Sequence, residues 1–207
     1  MILRRAICTF LLGCLVCACS SSGEPAPETA DTEPKKVAAT GGRALVVGQA
    51  PAGAFVRLEP VFPQDFPPPA GESFVDQSGQ MFEPGAVAAQ TGQTIQFRSS
   101  EDILHNVRVI RSDDKTPIFN VATLPWGAYS HKFDEPGTYD VTCDIHTAMR
   151  ATILVAATPY VTIADENGRF SFVDVVSGPY TLIGFSGPHE VRRSIQIAGT
   201  RAEITLP

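Results

Sequence analysis

The stretch Tyr139–Val155, YDVTCDIHTAMRATILV, holds a cysteine, a histidine and a methionine close together: Cys143, His146 and Met149. Tyr139, Val141 and Cys143 alternate with Asp140 and Thr142, the two-residue period of a half-buried strand. This alternation predicts that the Cys143 thiol faces inward with Tyr139 and Val141. The chain then presents His146 and Met149 from a short loop and returns as a second strand from about Arg150. A thiolate, an imidazole and a thioether on one loop suit a soft transition-metal ion. Zinc and copper both accept Cys and His, but a thioether is a poor zinc ligand, so Met149 favours copper. The trigonal copper arrangement requires a second histidine.

Upstream, Leu104–Ile110 reads LHNVRVI. His105, Val107 and Val109 share one face of an alternating strand, and Asn106 and Arg108 share the other. A histidine on an apolar face is ordinarily a satisfied core residue; the Cys/His/Met loop downstream makes His105 a candidate ligand.

Taken together, these residues resemble the cupredoxin family, the blue-copper sandwiches that include plastocyanin and amicyanin. The resemblance rests on His105-Asn106, on Gly137-Thr138-Tyr139, and on C-x2-H-x2-M at Cys143, His146 and Met149. It covers roughly Ser73 to Ala157. It implies a Greek-key β-sandwich holding one type 1 copper ion, with His105, Cys143 and His146 as strong equatorial ligands and Met149 as the weak axial one. It also implies that Asn106 ties the two ligand loops together from behind the metal. The short loop spacing resembles amicyanin. Amicyanin-type loops often carry proline after the second histidine, where this chain has Thr147, and this leaves the stiffness of the loop and the redox potential open.

The whole chain, 207 residues with a formal charge of −6, carries only 16 basic residues, which argues against nucleic-acid binding. With 17 Gly and 17 Pro and no convincing helical periodicity after residue 40, the expected class is all-β.

Met1 to Cys19 reads as a lipoprotein signal peptide. Arg4 and Arg5 form a positive start, and Ala6 to Ala18 is an apolar run too short to span a bilayer. Leu15-Val16-Cys17-Ala18-Cys19 resembles a bacterial lipobox, with Cys19 as the acylated residue. Cys14 is a rival position, and an ordinary secretory signal is the plainer alternative. Acyl chains anchor firmly because each buried methylene contributes about 0.8 kcal/mol. Ser20 is not the aspartate associated with inner-membrane retention, so the resemblance implies an outer-membrane protein facing the periplasm or the cell surface. Of five cysteines, at 8, 14, 17, 19 and 143, only Cys143 then remains as a thiol in an exported protein. A metal ligand explains such an unpaired cysteine better than a buried structural role does.

Residues 20–42, rich in Ala, Pro, Glu, Thr and Gly and without an aromatic residue, read as a disordered tether. A flexible coil of that length has an end-to-end distance of about 25 Å. Ala44–Val47 and Phe55–Leu58 read as short strands with a turn over Gly48–Gly53, followed by a proline-rich join from Pro60 to Pro69. The cupredoxin-like part occupies 63–157, and within it residues 98–104 form the loop that delivers His105. Arg111 to Tyr129 is the least readable stretch. The single tryptophan, Trp126, is expected to pack under a loop; the alternative is an exposed apolar patch for docking a redox partner. His131, between Tyr129 and Phe133, is expected to be half-buried rather than a ligand. His189, after Gly187-Pro188, reads as a loop histidine. Tyr139 resembles the tyrosine corner of Greek-key sandwiches.

Residues 158–207 change character. Val161 to Phe172 reads as a hairpin turning at Asp165-Glu166-Asn167-Gly168, followed by Gly178-Pro179-Tyr180 and strands at Val191–Ile197 and Ala202–Leu206. This resembles a carboxypeptidase regulatory-like, or transthyretin-like, small β-sandwich, a motif almost silent on activity. The usual first hairpin of that sandwich is missing here but is similar to residues 41–62. The expectation is therefore one discontinuous sandwich, 41–62 plus 158–207, with the cupredoxin inserted at a loop. The alternative is a cupredoxin with extra N-terminal strands and a truncated tail.

These observations lead to a membrane-anchored copper protein for one-electron transfer or copper handling outside the cytoplasm, with an unidentified redox partner protein and no small-molecule substrate. It is not expected to be an enzyme, because no general base, carboxylate pair or nucleophile constellation is present. A surface scaffold or adhesion lipoprotein binding polysaccharide or protein is the alternative from another class. A multicopper oxidase fragment fails, because four histidines cannot supply its further cluster.

Overall fold

The structure, a computed structural model, describes residues 41–186 and 189–207. The signal peptide, Cys19 and most of the tether lie outside the described residues. In chain order the first strands are β1 (Arg43–Gln49), β2 (Phe55–Pro60), β3 (Ser73–Ser78), β4 (Met81–Glu83), β5 (Ala86–Gln90) and β6 (Gln93–Ser99). Then follow β7 (His105–Arg111), β8 (Pro117–Thr123), β9 (Ala128–Phe133), β10 (Gly137–Thr142) and β11 (Arg150–Ala156). The last are β12 (Val161–Ile163), β13 (Arg169–Val176), β14 (Gly178–Ser186), β15 (His189–Ile197) and β16 (Arg201–Thr205). The described residues contain no helix, and the fold class is all-β.

Strands β3 to β11 build two sheets, ordered β5-β11-β10-β7-β8 and β4-β3-β6-β9. Each face supplies alternating apolar residues to one core, among them Val75, Ile95, Phe97, Val107, Val109, Val141 and Ile153. This is a Greek-key sandwich. Its polarity follows from chain direction. β7 begins at His105, β10 ends just before Cys143 and β11 begins just after Met149, so all of these residues gather at one end.

The other strands form two further sheets, β13-β1-β16 and β12-β2-β14-β15. β1 pairs antiparallel with β13 and parallel with β16, and β2 lies between β12 and β14. Val46, Val56, Leu58, Phe172, Tyr180 and Leu182 fill the core between them. Leu58 is fully buried, worth roughly 1.5–3 kcal/mol relative to an exposed side chain. The β12–β13 turn closes with Gly168 N–H donating to Asp165 O at 2.8 Å. Gly168 has φ of 73°, and a Cβ there would run into the Ala50 carbonyl, so only glycine fits.

One local device recurs in both sandwiches. Tyr139 Oη donates to the Glu135 carbonyl at 2.8 Å, and Tyr180 Oη to the Val176 carbonyl at 2.9 Å, each four residues back. Each bond ties the start of a strand to the stretch of chain just before it.

Three details differ from expectation. β1 runs on to Gln49, shortening the turn after it. The stretch Arg111–Tyr129 contains a full strand, β8, half-exposed at a sheet edge and begun by a proline, both of which blur its alternation. His189 opens β15, paired with Ser186, and is not a loop residue.

Candidate metal centre

His105 is the first residue of β7 and is completely buried. Its ring is fixed from both sides. Nε2 lies 2.7 Å from Glu101 Oε1, and Nδ1 lies 3.0 Å from His146 Nδ1. An ionised carboxylate only accepts hydrogen bonds, so Nε2 carries the proton and Nδ1 turns its lone pair toward His146. Histidine held this way by a carboxylate is the usual arrangement behind a metal ligand.

Cys143 follows β10 and is 2% exposed, facing inward as the alternation predicts. It is the free cysteine among the described residues. Its sulfur contacts Asn106 Oδ1 at 3.3 Å and accepts from His146 N–H at 3.3 Å. The loop 143–149 closes on itself. Met149 N–H donates to His146 O at 2.9 Å, and Cys143 N–H to Met149 O at 3.4 Å. Met149 is buried in the same core cluster as Cys143.

Asn106 joins the segments that carry His105 and Cys143. Its Oδ1 accepts Asp144 N–H at 2.6 Å, and its Nδ2 donates to Asn120 Oδ1 at 2.7 Å and to Asp144 Oδ2 at 3.2 Å. Asp144 also accepts from Asn120 and pairs with Arg108. The Asn120 amide first, with Arg108 and Asn106, holds the Asp144 carboxyl below the usual carboxylate range. The alternation places Asn106 on the outer face, yet it is 8% exposed, because this network encloses it.

The ligand atoms of His105, Cys143 and His146 lie within 4.8 Å of one another. Metal–nitrogen and metal–sulfur bonds of about 2.0–2.3 Å bring three such atoms onto one ion with small adjustments. Two imidazoles and one thiolate, with a buried thioether in the same core cluster, make a donor set that suits a trigonal copper site better than a four-coordinate structural zinc site. The residues present therefore fit the group.

His131 is half-buried and sits apart, against Phe119 and Phe133 with ring centroids 4.7 and 4.9 Å away. Trp126 is not packed under a loop. It is 70% exposed, with φ of 61°, in the turn joining β8 to β9. Leu104, Leu124 and Ile145 are also exposed. Leu104 and Ile145 adjoin the two histidines in sequence, and Leu124 follows Thr123, which pairs with His105. Glu101 has no sequence signal: it lies in an irregular loop where spacing predicts nothing. A cleft of about 1000 Å³ lies at the other end of this sandwich, between residues such as Ser112, Pro136 and Thr158 and Arg57 and Glu190 of the second one.

Residues 71–156, β3 to β11, match the profile of the copper binding proteins, plastocyanin/azurin family. The chain is 31% identical over 90 residues to a plastocyanin from Scenedesmus fuscus, a match covering 39% of this chain and 91% of that protein. It is 28% identical over 92 residues to amicyanin-alpha of Methylorubrum extorquens, covering 42% and 74% respectively. The crystal structure of amicyanin from Paracoccus versutus is similar at 24% identity and a TM-score of 0.38, over 42% of this chain and 84% of that one. The chain belongs to the plastocyanin/azurin family of copper binding proteins.

Proposed function

We propose that this protein is an anchored one-electron carrier whose type 1 copper ion is held by His105, Cys143 and His146, with Met149 as the weak axial donor. A single observation carries the proposal: the convergence of the His105, Cys143 and His146 ligand atoms within 4.8 Å. When bound, copper supplies the one-electron change between Cu(II) and Cu(I). The chain's own residues do the rest. Glu101 keeps His105 in the tautomer whose Nδ1 faces the site. Asn106 binds the segments of both ligands, so their spacing changes little between redox states. The fully buried Val107, Val109 and Val141, in the same core cluster as Cys143, keep water from reaching the site through the core. The half-buried His146, with the exposed Leu104, Leu124, Trp126 and Ile145 on the loops at this end of the sandwich, offers an apolar face where a redox partner protein docks.

Residues 41–62 and 158–207 are proposed to form one transthyretin-like sandwich interrupted by the cupredoxin domain, 63–157. The pairing of β1 and β2 with β12, β13, β14 and β16 supports this. Acylation of Cys19 and a tether through residue 42 place the protein at the outer membrane, facing the periplasm or the surface.

The test adds Cu(II) to the full-length chain. An intense blue or green colour, lost in Cys143→Ser, is expected. A colourless protein that retains no copper after dialysis rejects the carrier. Labelled palmitate incorporation, lost in Cys19→Ala, tests the anchor; undiminished labelling rejects it.

A further inference from the structure

Glu101 does not stand alone behind His105. The oxygen that contacts His105 Nε2 at 2.7 Å, Oε1, also accepts the backbone N–H of Gln80 at 3.1 Å. Gln80 lies in the turn between β3 and β4, where Ser78 pairs with Met81. Gly79 and Gln80 have φ of 59° and 56°, two successive left-handed residues, as in a two-residue hairpin turn of the primed type. The second position of such a turn favours glycine, and a glutamine there is strained. The strain is held at a point where the amide meets a carboxylate 21 residues away.

The loop carrying Glu101 is moored to the same hairpin by further bonds. Ser100 N–H donates to Gln77 O at 3.1 Å, Ser100 Oγ to Asp76 Oδ2 at 2.8 Å, and Gln77 Nε2 to Arg98 O at 3.2 Å. The Glu101 side chain is 19% exposed, so water competes for its oxygens. A second fixed donor is what keeps Oε1 on the imidazole.

We propose that the β3–β4 turn is a positioning element of the metal centre, acting through Gln80 N–H on Glu101 and through Glu101 on His105. This rests on the copper site proposed above. A carboxylate held on Nε2–H makes the imidazole a stronger donor and favours Cu(II). Freeing the carboxylate would shift the balance toward Cu(I), although the turn supplies none of the proposed ligands.

Three variants of the copper-loaded full-length chain test this. Gln80→Gly keeps the N–H and suits the left-handed conformation; its reduction potential should equal the parent's. Gln80→Pro removes the N–H but cannot adopt φ of 56°, so the decisive variant is a backbone ester at residue 80, which deletes the N–H alone. Both should move the Cu(II)/Cu(I) equilibrium toward Cu(I), by up to about tenfold, which is about 59 mV for one electron. In the metal-free protein the ester should also shift the His105 Nε2 resonance. A folded, copper-binding ester variant with the parent's potential and the parent's His105 signal overturns the inference. A parent chain that binds no copper overturns the site assignment instead.

Discussion

The Nδ1 atoms of His105 and His146 lie 3.0 Å apart, although 41 residues separate them in sequence. One imidazole comes from the start of a strand and the other from a loop in a different part of the chain. Glu101 fixes His105 with its Nδ1 lone pair inward, so the proton between the rings belongs to His146. In the copper site proposed above, the metal would occupy the place of that proton, between two rings that already face each other.

As the thiolate donor of the proposed copper site, Cys143 would define the optical signature. In Cys143→Ser the intense charge-transfer band should vanish. Copper affinity should fall by more than the ~10–100-fold typical of losing a supporting residue. Absorption spectra and equilibrium dialysis check both, and retained colour would remove Cys143 from the ligand set.

Asn106→Ala cuts the tie between the segments of His105 and Cys143 without replacing any of the four proposed ligands. Copper affinity should drop by about 10–100-fold, measured by chelator competition, while the charge-transfer band persists at saturating copper. Unchanged affinity would mean that the segments hold their spacing without Asn106.

The two tyrosine bonds lie in separate cores. Tyr139→Phe and Tyr180→Phe should each cost about 0.5–1.5 kcal/mol in urea unfolding. The double variant should give their sum, because distant sites with no shared partner add. Coupling between them would show that the two sandwiches share more than their connections.

Burial against Phe119 and Phe133 lowers the His131 pKa, and Asp134 opposes this only in part. The folded state therefore binds a proton less readily than the unfolded chain, whose histidine titrates near the ordinary value of about 6.5. The neutral ring's contribution is fully present above that pH and is lost as pH falls below it toward the folded value. His131→Phe should flatten this loss, read as unfolding midpoints between about pH 8 and about pH 5. An unchanged slope would assign the acid sensitivity to other groups.

Trp126 is exposed at the histidine end and supports no core. Trp126→Lys should leave the melting temperature and the copper spectrum unchanged. It should slow electron self-exchange between Cu(I) and Cu(II) copies by about tenfold or more at low salt, because like charges then face each other. NMR line broadening measures the rate, and an unaltered rate would move the electron port elsewhere.

The parts of this structure governed by strict alternation could be read directly. Tyr139, Val141 and Cys143, like His105, Val107 and Val109, are buried because a strand gives successive residues no other choice of face. Trp126 was not legible. A large aromatic residue is normally worth burying, and only the turn between β8 and β9 turns it outward. β8 was obscured by its edge position, where burial is partial and the period fades. Glu101 was not legible, since it reaches His105 from an irregular loop where spacing has no period to follow, and its other partner, Gln80, is 21 residues away.

Leu58 N–H donates to Tyr160 O at 2.9 Å, with β2 and β12 side by side. The chain leaves the second sandwich and comes back to it through neighbouring strands of one sheet. For that sheet, everything from Val61 to Thr158 is merely a very long hairpin loop. Closing a loop becomes only slowly more costly as it lengthens, by about 0.6 kcal/mol per doubling, and a guest whose own ends meet keeps even that small. On the proposed insertion, the redox unit would be exchangeable cassette cargo, with the host sheet still pairing β2 with β12 across the gap.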